Sequence, residues 1–123
     1  MKGKVAHKIP LSRQALDILK GLPPRFLGKF VFSHPSGRNP ISDYHLMKKA
    51  LDELSGVTGW TLHDVRRTVA SGLGSLEISP EIIERVLAHT QPKLHATYNR
   101  FDCEAEKGAA LQKWADHVSE IIV

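Results

Sequence analysis

The terminal segment of the chain constrains the fold more than any other part. From about residue 104 to residue 122, apolar residues recur at helical spacing, which predicts an amphipathic helix. Its apolar face consists of Leu111, Trp114, Ala115, Val118, Ile121 and Ile122. A face of this size is left in water unless the helix folds back onto a core or docks onto a second chain. The preceding residues must therefore build a core for it, or a partner must supply one.

Helices dominate the rest of the predicted structure. Ser12, Ser42 and Ser79 stand where helix caps belong, and Pro80 follows at a favoured first position. The predicted helices cover about 13–20, 42–54, 62–76 and 80–89. Their apolar stripes include Leu46, Ala50, Leu51 and Leu54 in the second helix and Val65, Val69, Leu73 and Leu76 in the third. Short strands are predicted at 4–10 and 30–32, with a loop at 34–40. The fold class is mainly α with a small N-terminal β element.

Composition narrows the class of protein. The 123 residues allow one domain with a modest core, and 41% hydrophobic with 24% charged residues is ordinary for a globular chain. A net charge of +4 favours nucleic acid as a partner only slightly. Cys103 is the only cysteine, which excludes an internal disulfide and a cysteine-based zinc cluster and indicates a reducing, cytoplasmic setting. No run approaches the roughly 18 apolar residues of a membrane span, so no membrane partner is expected.

The segment Thr61-Leu62-His63-Asp64-Val65-Arg66-Arg67-Thr68 is the first candidate for chemistry. His63 and Arg66 are three residues apart, so they share a face near the start of the third predicted long helix. A guanidinium, an imidazole and helix-end N–H groups are suited to converge on a phosphate. Arg67 lies off that face and is better assigned to a structural or backbone contact. The alternative is that His63 caps or packs while Arg66 pairs with Asp64 or Glu84.

His89 and Tyr98 are the other candidates, and each has a structural alternative. A histidine at the end of a helix is common because the imidazolium suits the helix dipole. A tyrosine used as a nucleophile needs a neighbouring base or cations, and Tyr98 could equally be a hydrophobic anchor. A metal site formed by His63, His89 and His95 lacks a recognisable ligand spacing, and no metal is expected.

Taken together, these elements resemble those of the tyrosine recombinase, or phage integrase, family. The family's His-x-x-Arg box appears as His63-Asp64-Val65-Arg66, and its Leu-Gly-His element as Leu87-Ala88-His89, with Ala88 in place of the common glycine. Its nucleophile follows that histidine by nine residues, at Tyr98. Residues 2–12 resemble its β-hairpin arm, Lys-x-Gly-x-x-His-x-Val-Pro-Leu-Ser, which aligns Lys2 with the catalytic lysine and makes Lys4 the less favoured occupant. The resemblance implies the DNA breaking-rejoining fold of a tyrosine recombinase catalytic domain.

The resemblance implies site-specific DNA recombination through a 3′-phosphotyrosyl intermediate, with no cofactor. Tyr98 would attack a DNA phosphodiester while Arg66 and His89 hold the non-bridging oxygens. His63 would assist by proton transfer or by hydrogen bonding, and Lys2 would protonate the leaving 5′-oxygen. The implied partners are double-stranded DNA at attachment sites and further copies, assembled as a tetramer through the C-terminal helix. The implied setting is the nucleoid of a bacterial cell, with a bacterial or phage origin.

The chain is expected to be the C-terminal part of such a catalytic domain over residues 1–123, truncated at its N-terminal end. The family's first active-site arginine precedes the hairpin lysine and has no counterpart here, and neither has the N-terminal DNA-clamping domain. Losing one phosphate-binding group costs about 2.7–4 kcal/mol of transition-state stabilisation. These residues alone are therefore expected to be weakly active or inactive.

Two other functions remain open. The first is a non-catalytic basic helical module that binds DNA through phosphate contacts. Its contacts would be Lys2, Lys4, Arg66, Arg67, Lys93 and Arg100, of which Lys4, Arg67, Lys93 and Arg100 are also the expected DNA-binding residues of the integrase. The second is a protein-interaction fragment whose terminal helix docks onto a neighbouring protomer, and this can coexist with the integrase function.

Overall fold

Residues 6–22, 29–34, 36–88 and 103–122 are described in the computed structural model of the chain. Within these ranges the helices are α1 (Arg13–Lys20), α2 (Tyr44–Ser55), α3 (Leu62–Ser75), α4 (Pro80–Val86) and α5 (Glu104–Ile121). The chain forms two compact units. One comprises Met1–Lys20 with Leu62–Val123, and the other comprises Gly21–Thr61. The mainly α prediction is confirmed.

The first unit, Met1–Lys20 with Leu62–Val123, is built around Leu73 of α3, which is completely buried. Val86 of α4 and Ala110 of α5 complete the buried cluster. Half-buried apolar side chains pack around it, namely Val69, Ile78, Ile82, Ile83, Leu111 and Trp114. Helix α5 contacts α1, α3 and α4 of its own chain. The terminal apolar stripe therefore folds back onto a core, and only its last members, Ile121 and Ile122, are strongly exposed.

Local capping chemistry explains where the helices of this unit begin. The Ser12 side chain accepts from the Ala15 N–H at 3.1 Å, and the Ser79 side chain accepts from the Ile82 N–H at 3.4 Å. Each bond satisfies an N–H that has no partner inside its helix. Pro80 follows Ser79 at a position where its missing N–H costs nothing. The predicted starts of α1 and α4 are confirmed.

The start of α2 and the end of α4 differ from the prediction. Helix α2 begins at Tyr44 after Asp43, whose carbonyl accepts the first helical bond, from Met47 N–H at 3.1 Å. Ser42 lies one residue too early to cap it. Helix α4 ends at Val86 rather than near residue 89, because Ala88 has a left-handed backbone with φ of 55°.

Two predicted apolar faces are more exposed than expected. Val65 of α3 is 52% exposed, because the buried cluster contacts this stripe only one and two turns further along, at Val69 and Leu73. In the second unit, Gly21–Thr61, the α2 stripe is exposed, at 62% for Leu46 and 87% for Leu54. The described part of that unit contains no second helix to cover it.

The predicted strands are not found in the described residues. Residues 30–32 form no strand, and the loop after them is closed by an isolated antiparallel bridge between Ser33 and Pro40. Residues 6–10 form no strand either, while positions 4 and 5 of that prediction lie outside the described residues. Residues 6–10 form no strand because they bond to helices rather than to a second strand. The His7 ring bonds to the Arg85 carbonyl, and the Lys8 carbonyl accepts from the Lys107 ammonium.

A polar network joins α1 to α5. The Gln14 side-chain amide donates to the Asp116 carboxylate at 2.8 Å, and the Gln112 amide donates to the same oxygen at 2.9 Å. The hydrogen bonds from Gln14 and Gln112, together with the Arg13 charge nearby, hold the pKa of Asp116 below its ordinary value. This network fixes the first helix on the last one.

At Gly72, α3 lies close against Trp114 of α5. A β-carbon at this position would meet the indole ring of Trp114, with Cη2 only 2.6 Å away. Carbon atoms that are not bonded to each other do not approach this closely, so Trp114 lies in a space that only glycine leaves open.

Gly72→Ala should therefore lower the free energy of unfolding by about 1–3 kcal/mol through overpacking against Trp114. Gly74→Ala is the matched control, since it lies in the same helix and a β-carbon there meets nothing within 4 Å. It should raise the free energy of unfolding by about 0.5–1 kcal/mol by removing glycine from a helix interior. Urea unfolding followed by circular dichroism measures both, and equal effects of the two substitutions would contradict this packing.

Candidate active site

His63 and Arg66 lie in the first part of α3, where the His-x-x-Arg box begins the helix. The His63 side chain is exposed, and Arg66 is half-buried. The guanidinium Nη2 of Arg66 donates a hydrogen bond to the backbone carbonyl of Leu87. A guanidinium has five N–H donors, so this contact leaves others for a ligand.

The carbonyl of Leu87 belongs to the C-terminal end of α4. The Leu87 N–H still bonds back into the helix, to the Ile83 carbonyl at 3.0 Å. Ala88 then takes the left-handed conformation and ends the helix. The last carbonyls of any helix lack partners within it, and they form the negative end of the helix dipole. Such an end attracts donors and cations.

A second side chain binds the same helix end. The ring Nε2 of His7 lies 2.8 Å from the Arg85 carbonyl. Because a carbonyl only accepts, His7 must carry a proton on Nε2. Donors from residue 7 and from α3 thus meet on the last carbonyls of α4.

These contacts bring the separated motifs of the sequence to one place. Arg66 of the His-x-x-Arg box reaches Leu87, the first residue of the Leu-Ala-His element. His7 of the arm-like segment is attached to Arg85, two residues before Leu87. His89 itself lies outside the described residues.

Arg67 has a different environment from Arg66. Its side chain is 73% exposed, and its guanidinium lies 3.9 Å from the Asp64 carboxylate one turn away. It faces an open cleft of about 490 Å³ between α3 and α5. Thr68, Ser71, Gly72, Ser75 and Trp114 line the rest of the cleft. The structure therefore brings Arg66, but not Arg67, to the end of α4.

The remaining predicted site residues belong to other parts of the chain. Lys2, Lys4, His89, Lys93, Tyr98 and Arg100 all lie outside the described ranges. Their roles stay predictions. Among the described residues, no three His, Cys, Asp or Glu side chains are grouped closely enough to hold a metal ion. No helix within those residues is long and apolar enough to cross a membrane.

Sequence reasoning missed two residues that organise this region. The ammonium of Lys107 in α5 is buried and donates to the Lys8 carbonyl at 2.6 Å. Its signal was available, because Lys107 precedes Leu111 and Trp114 by one and two helical turns on the inward stripe. No such signal exists for His7, which matches the arm pattern but is related to residue 85 by no spacing rule.

Comparison with known proteins agrees with the phage-integrase motifs: the chain is similar along nearly its whole length to two prophage integrases. It is 32% identical over 124 residues to prophage integrase IntZ of Escherichia coli K12, covering 99% of this chain. It is 31% identical over 121 residues to prophage integrase IntA of the same strain, covering 96%. The chain spans 31% and 29% of the lengths of these curated relatives. No family model and no solved structure matches it.

Ala88 supplies a direct test of the end of α4. A left-handed backbone strains any residue with a β-carbon, by roughly 1–2 kcal/mol. Ala88→Gly should therefore raise the free energy of unfolding by about 1 kcal/mol. Ala109→Gly, at an exposed position inside α5, is the control and should lower it by a similar amount. Thermal unfolding distinguishes the two, and a destabilised Ala88→Gly variant would refute the described turn.

The bond from Arg66 to Leu87 predicts unequal effects of removing two adjacent arginines. Arg66→Ala should lower the free energy of unfolding by about 1.5–3 kcal/mol, because a charged donor to a backbone carbonyl is lost. Arg67→Ala should change it by less than about 1 kcal/mol, since its ion pair with Asp64 is solvated. Urea unfolding of both variants provides the measurement. A larger loss in Arg67→Ala would contradict the geometry.

Proposed function

We propose that this chain carries the strand-cleaving groups of a tyrosine-type site-specific DNA recombinase. The observation that supports it best is the bond from Arg66 to Leu87, since it joins the His-x-x-Arg box to the Leu-Ala-His element. His89 follows Leu87 by two residues, so its Cα is at most about 7 Å from that of Leu87. An arginine and a histidine in this relation suit the two non-bridging oxygens of one phosphodiester.

The reaction would exchange one phosphodiester for another. The Tyr98 hydroxyl oxygen attacks the phosphorus and loses its proton, and the bond from phosphorus to the 5′-oxygen breaks. Arg66 and His89 stabilise the charge that builds on the non-bridging oxygens. His63 accepts the proton or hydrogen-bonds to the phosphate, and Lys2 gives a proton to the leaving 5′-oxygen. The products are a 3′-phosphotyrosyl bond and a free 5′-hydroxyl.

The partner in this proposal is double-stranded DNA at attachment sites. Arg67 is an exposed residue of α3, and an exposed guanidinium suits a contact with the phosphate backbone of DNA. Lys4, Lys93 and Arg100 are proposed for the same role from the sequence. A tetramer on DNA, assembled through the C-terminal helix, belongs to the proposal, and Ile121 and Ile122 are the exposed apolar residues of that helix end. The proposed location is the nucleoid of a bacterial cell.

Residues 1–123 would correspond to the C-terminal part of a catalytic domain. The chain spans 31% and 29% of the lengths of the two prophage integrases, so it matches only a part of each. Recombination by these residues alone is expected to be weak or absent. The activity should therefore be measured both on the chain itself and on a chimera that adds the upstream portion of a prophage integrase.

A nicked suicide DNA substrate tests the proposal, because loss of the short product strand traps the covalent intermediate. The chimera should form a protein–DNA adduct that is abolished in Tyr98→Phe. Tyr44→Phe is the matched control, since Tyr44 is the other tyrosine and lies exposed in α2. It should form the adduct at the rate of the parent.

The pattern of results separates the integrase from its alternative. DNA binding of equal strength in all variants, with no adduct from the chain or the chimera, would overturn the proposal and leave a non-catalytic DNA-binding module. An adduct that persists in Tyr98→Phe would assign the nucleophile elsewhere. Salt dependence of binding would not discriminate between the two functions, because phosphate contacts give it in both.

A further inference from the structure

Residues 6–10, called the arm here, are attached to α4 and α5 at three points. His7 donates to the Arg85 carbonyl at 2.8 Å. The Lys107 ammonium donates to the Lys8 carbonyl at 2.6 Å. Pro10 packs on Gly108, where a β-carbon would lie 3.4 Å from the Pro10 β-carbon. The arm is thus held by the His7 side chain on α4, whose end belongs to the candidate site, and by its backbone and proline on α5.

A lysine is unusual at a position as buried as that of Lys107. It is only 1% exposed, and with Leu73 it is one of the largest fully buried side chains among the described residues. Burying an ammonium is costly unless it is hydrogen-bonded, whereas a leucine or methionine would fill an inward helix position at no such cost. The ammonium is therefore best explained by what it binds, and that includes the arm backbone at Lys8.

The arm follows the proposed general acid, Lys2, in the sequence. Lys2 is five residues before His7, so its Cα lies at most about 18 Å from that of His7. His7 in turn is attached two residues from the Leu87 carbonyl that binds Arg66. Because residues 7, 8 and 10 are attached, the segment that leads back to Lys2 starts from a fixed point beside the end of α4.

We propose that Lys107 is a positioning residue, whose buried ammonium holds the arm and thereby keeps Lys2 within reach of the scissile phosphate. This rests on the proposed function, in which Lys2 protonates the leaving 5′-oxygen. Lys107 touches neither DNA nor the reacting atoms. It acts on the backbone of Lys8, and its effect on cleavage passes through Lys2.

The contact itself is tested in the chain without DNA. In the wild-type protein, nuclear magnetic resonance should detect a slowly exchanging Lys107 ammonium with scalar coupling across the hydrogen bond to the Lys8 carbonyl carbon. In Lys107→Met, the amides of the arm should become mobile on the nanosecond timescale while those of α5 stay ordered. Absence of the coupling in the wild type would overturn the proposal, even if Lys107→Met does not fold.

Lys113→Met is the matched control. Lys113 lies in the same helix and also donates to a backbone carbonyl, that of Leu76 at 2.9 Å, but it is exposed and does not touch the arm. Its substitution should leave the arm amides unchanged. Equal mobility of the arm in both variants would show a general loosening of α5 rather than a specific attachment.

The link to Lys2 is tested with two DNA substrates in the chimera. On ordinary DNA, Lys107→Met should slow adduct formation by at least about tenfold, a fraction of the 10²–10⁴-fold effect of general acid catalysis. On DNA with sulfur in place of the leaving 5′-oxygen, no general acid is needed, so Lys107→Met and Lys2→Ala should both regain the parent rate. A structural defect would slow cleavage of both substrates and contradict the positioning role.

The two proposals fail in different ways. If the parent chimera forms no adduct on either substrate, the proposed function is wrong and the positioning role falls with it, while the resonance data still decide whether Lys107 holds the arm. If the parent cleaves DNA and Lys107→Met is not rescued by sulfur, the proposed function stands and the role of Lys107 is refuted.

Discussion

The C-terminal end of α4 is the point on which the candidate site depends. The last carbonyls of this helix have no partners within it, and two side chains from distant parts of the chain bind them. Arg66 comes from α3 and His7 from the arm, so one helix end orders three sequence segments. Ala88 then turns the chain sharply out of the helix. A change at this end alters the position of Arg66 and the direction in which the chain leaves toward His89.

Local chemistry made part of the fold predictable. Helices α1 and α4 begin where Ser12 and Ser79 cap them, since a cap acts within four residues. The inward stripe of α5 was predictable because helical periodicity is also local. Burial of Val65 and of the α2 stripe was predicted wrongly, because it depends on which faces other helices cover. The strand prediction failed for a related reason, since alternation does not specify a pairing partner.

The candidate site was predictable only in part. Helical spacing predicted that Arg67 lies off the face of His63 and Arg66, but the backbone contact expected of Arg67 belongs to Arg66, and Arg67 pairs with Asp64 instead. The family's motifs indicated which segments should meet. The contacts that join them were not predictable, because Arg66, His7 and Lys107 all bind backbone carbonyls. A backbone carbonyl exists at every residue, so no side-chain pattern identifies the one that is used. Only the folded chain specifies these partners.

The central claim is that Arg66, His63 and His89 surround a single phosphate. Titration with vanadate, a phosphate analogue that adopts the geometry of the transition state, tests it by nuclear magnetic resonance of the arginine and histidine side-chain nitrogens. The account predicts that the signals of these three side chains shift with the same vanadate midpoint. The signals of Arg13 and Arg67 should not shift with that midpoint. Separate midpoints, or a response of Arg67 without Arg66, would contradict it.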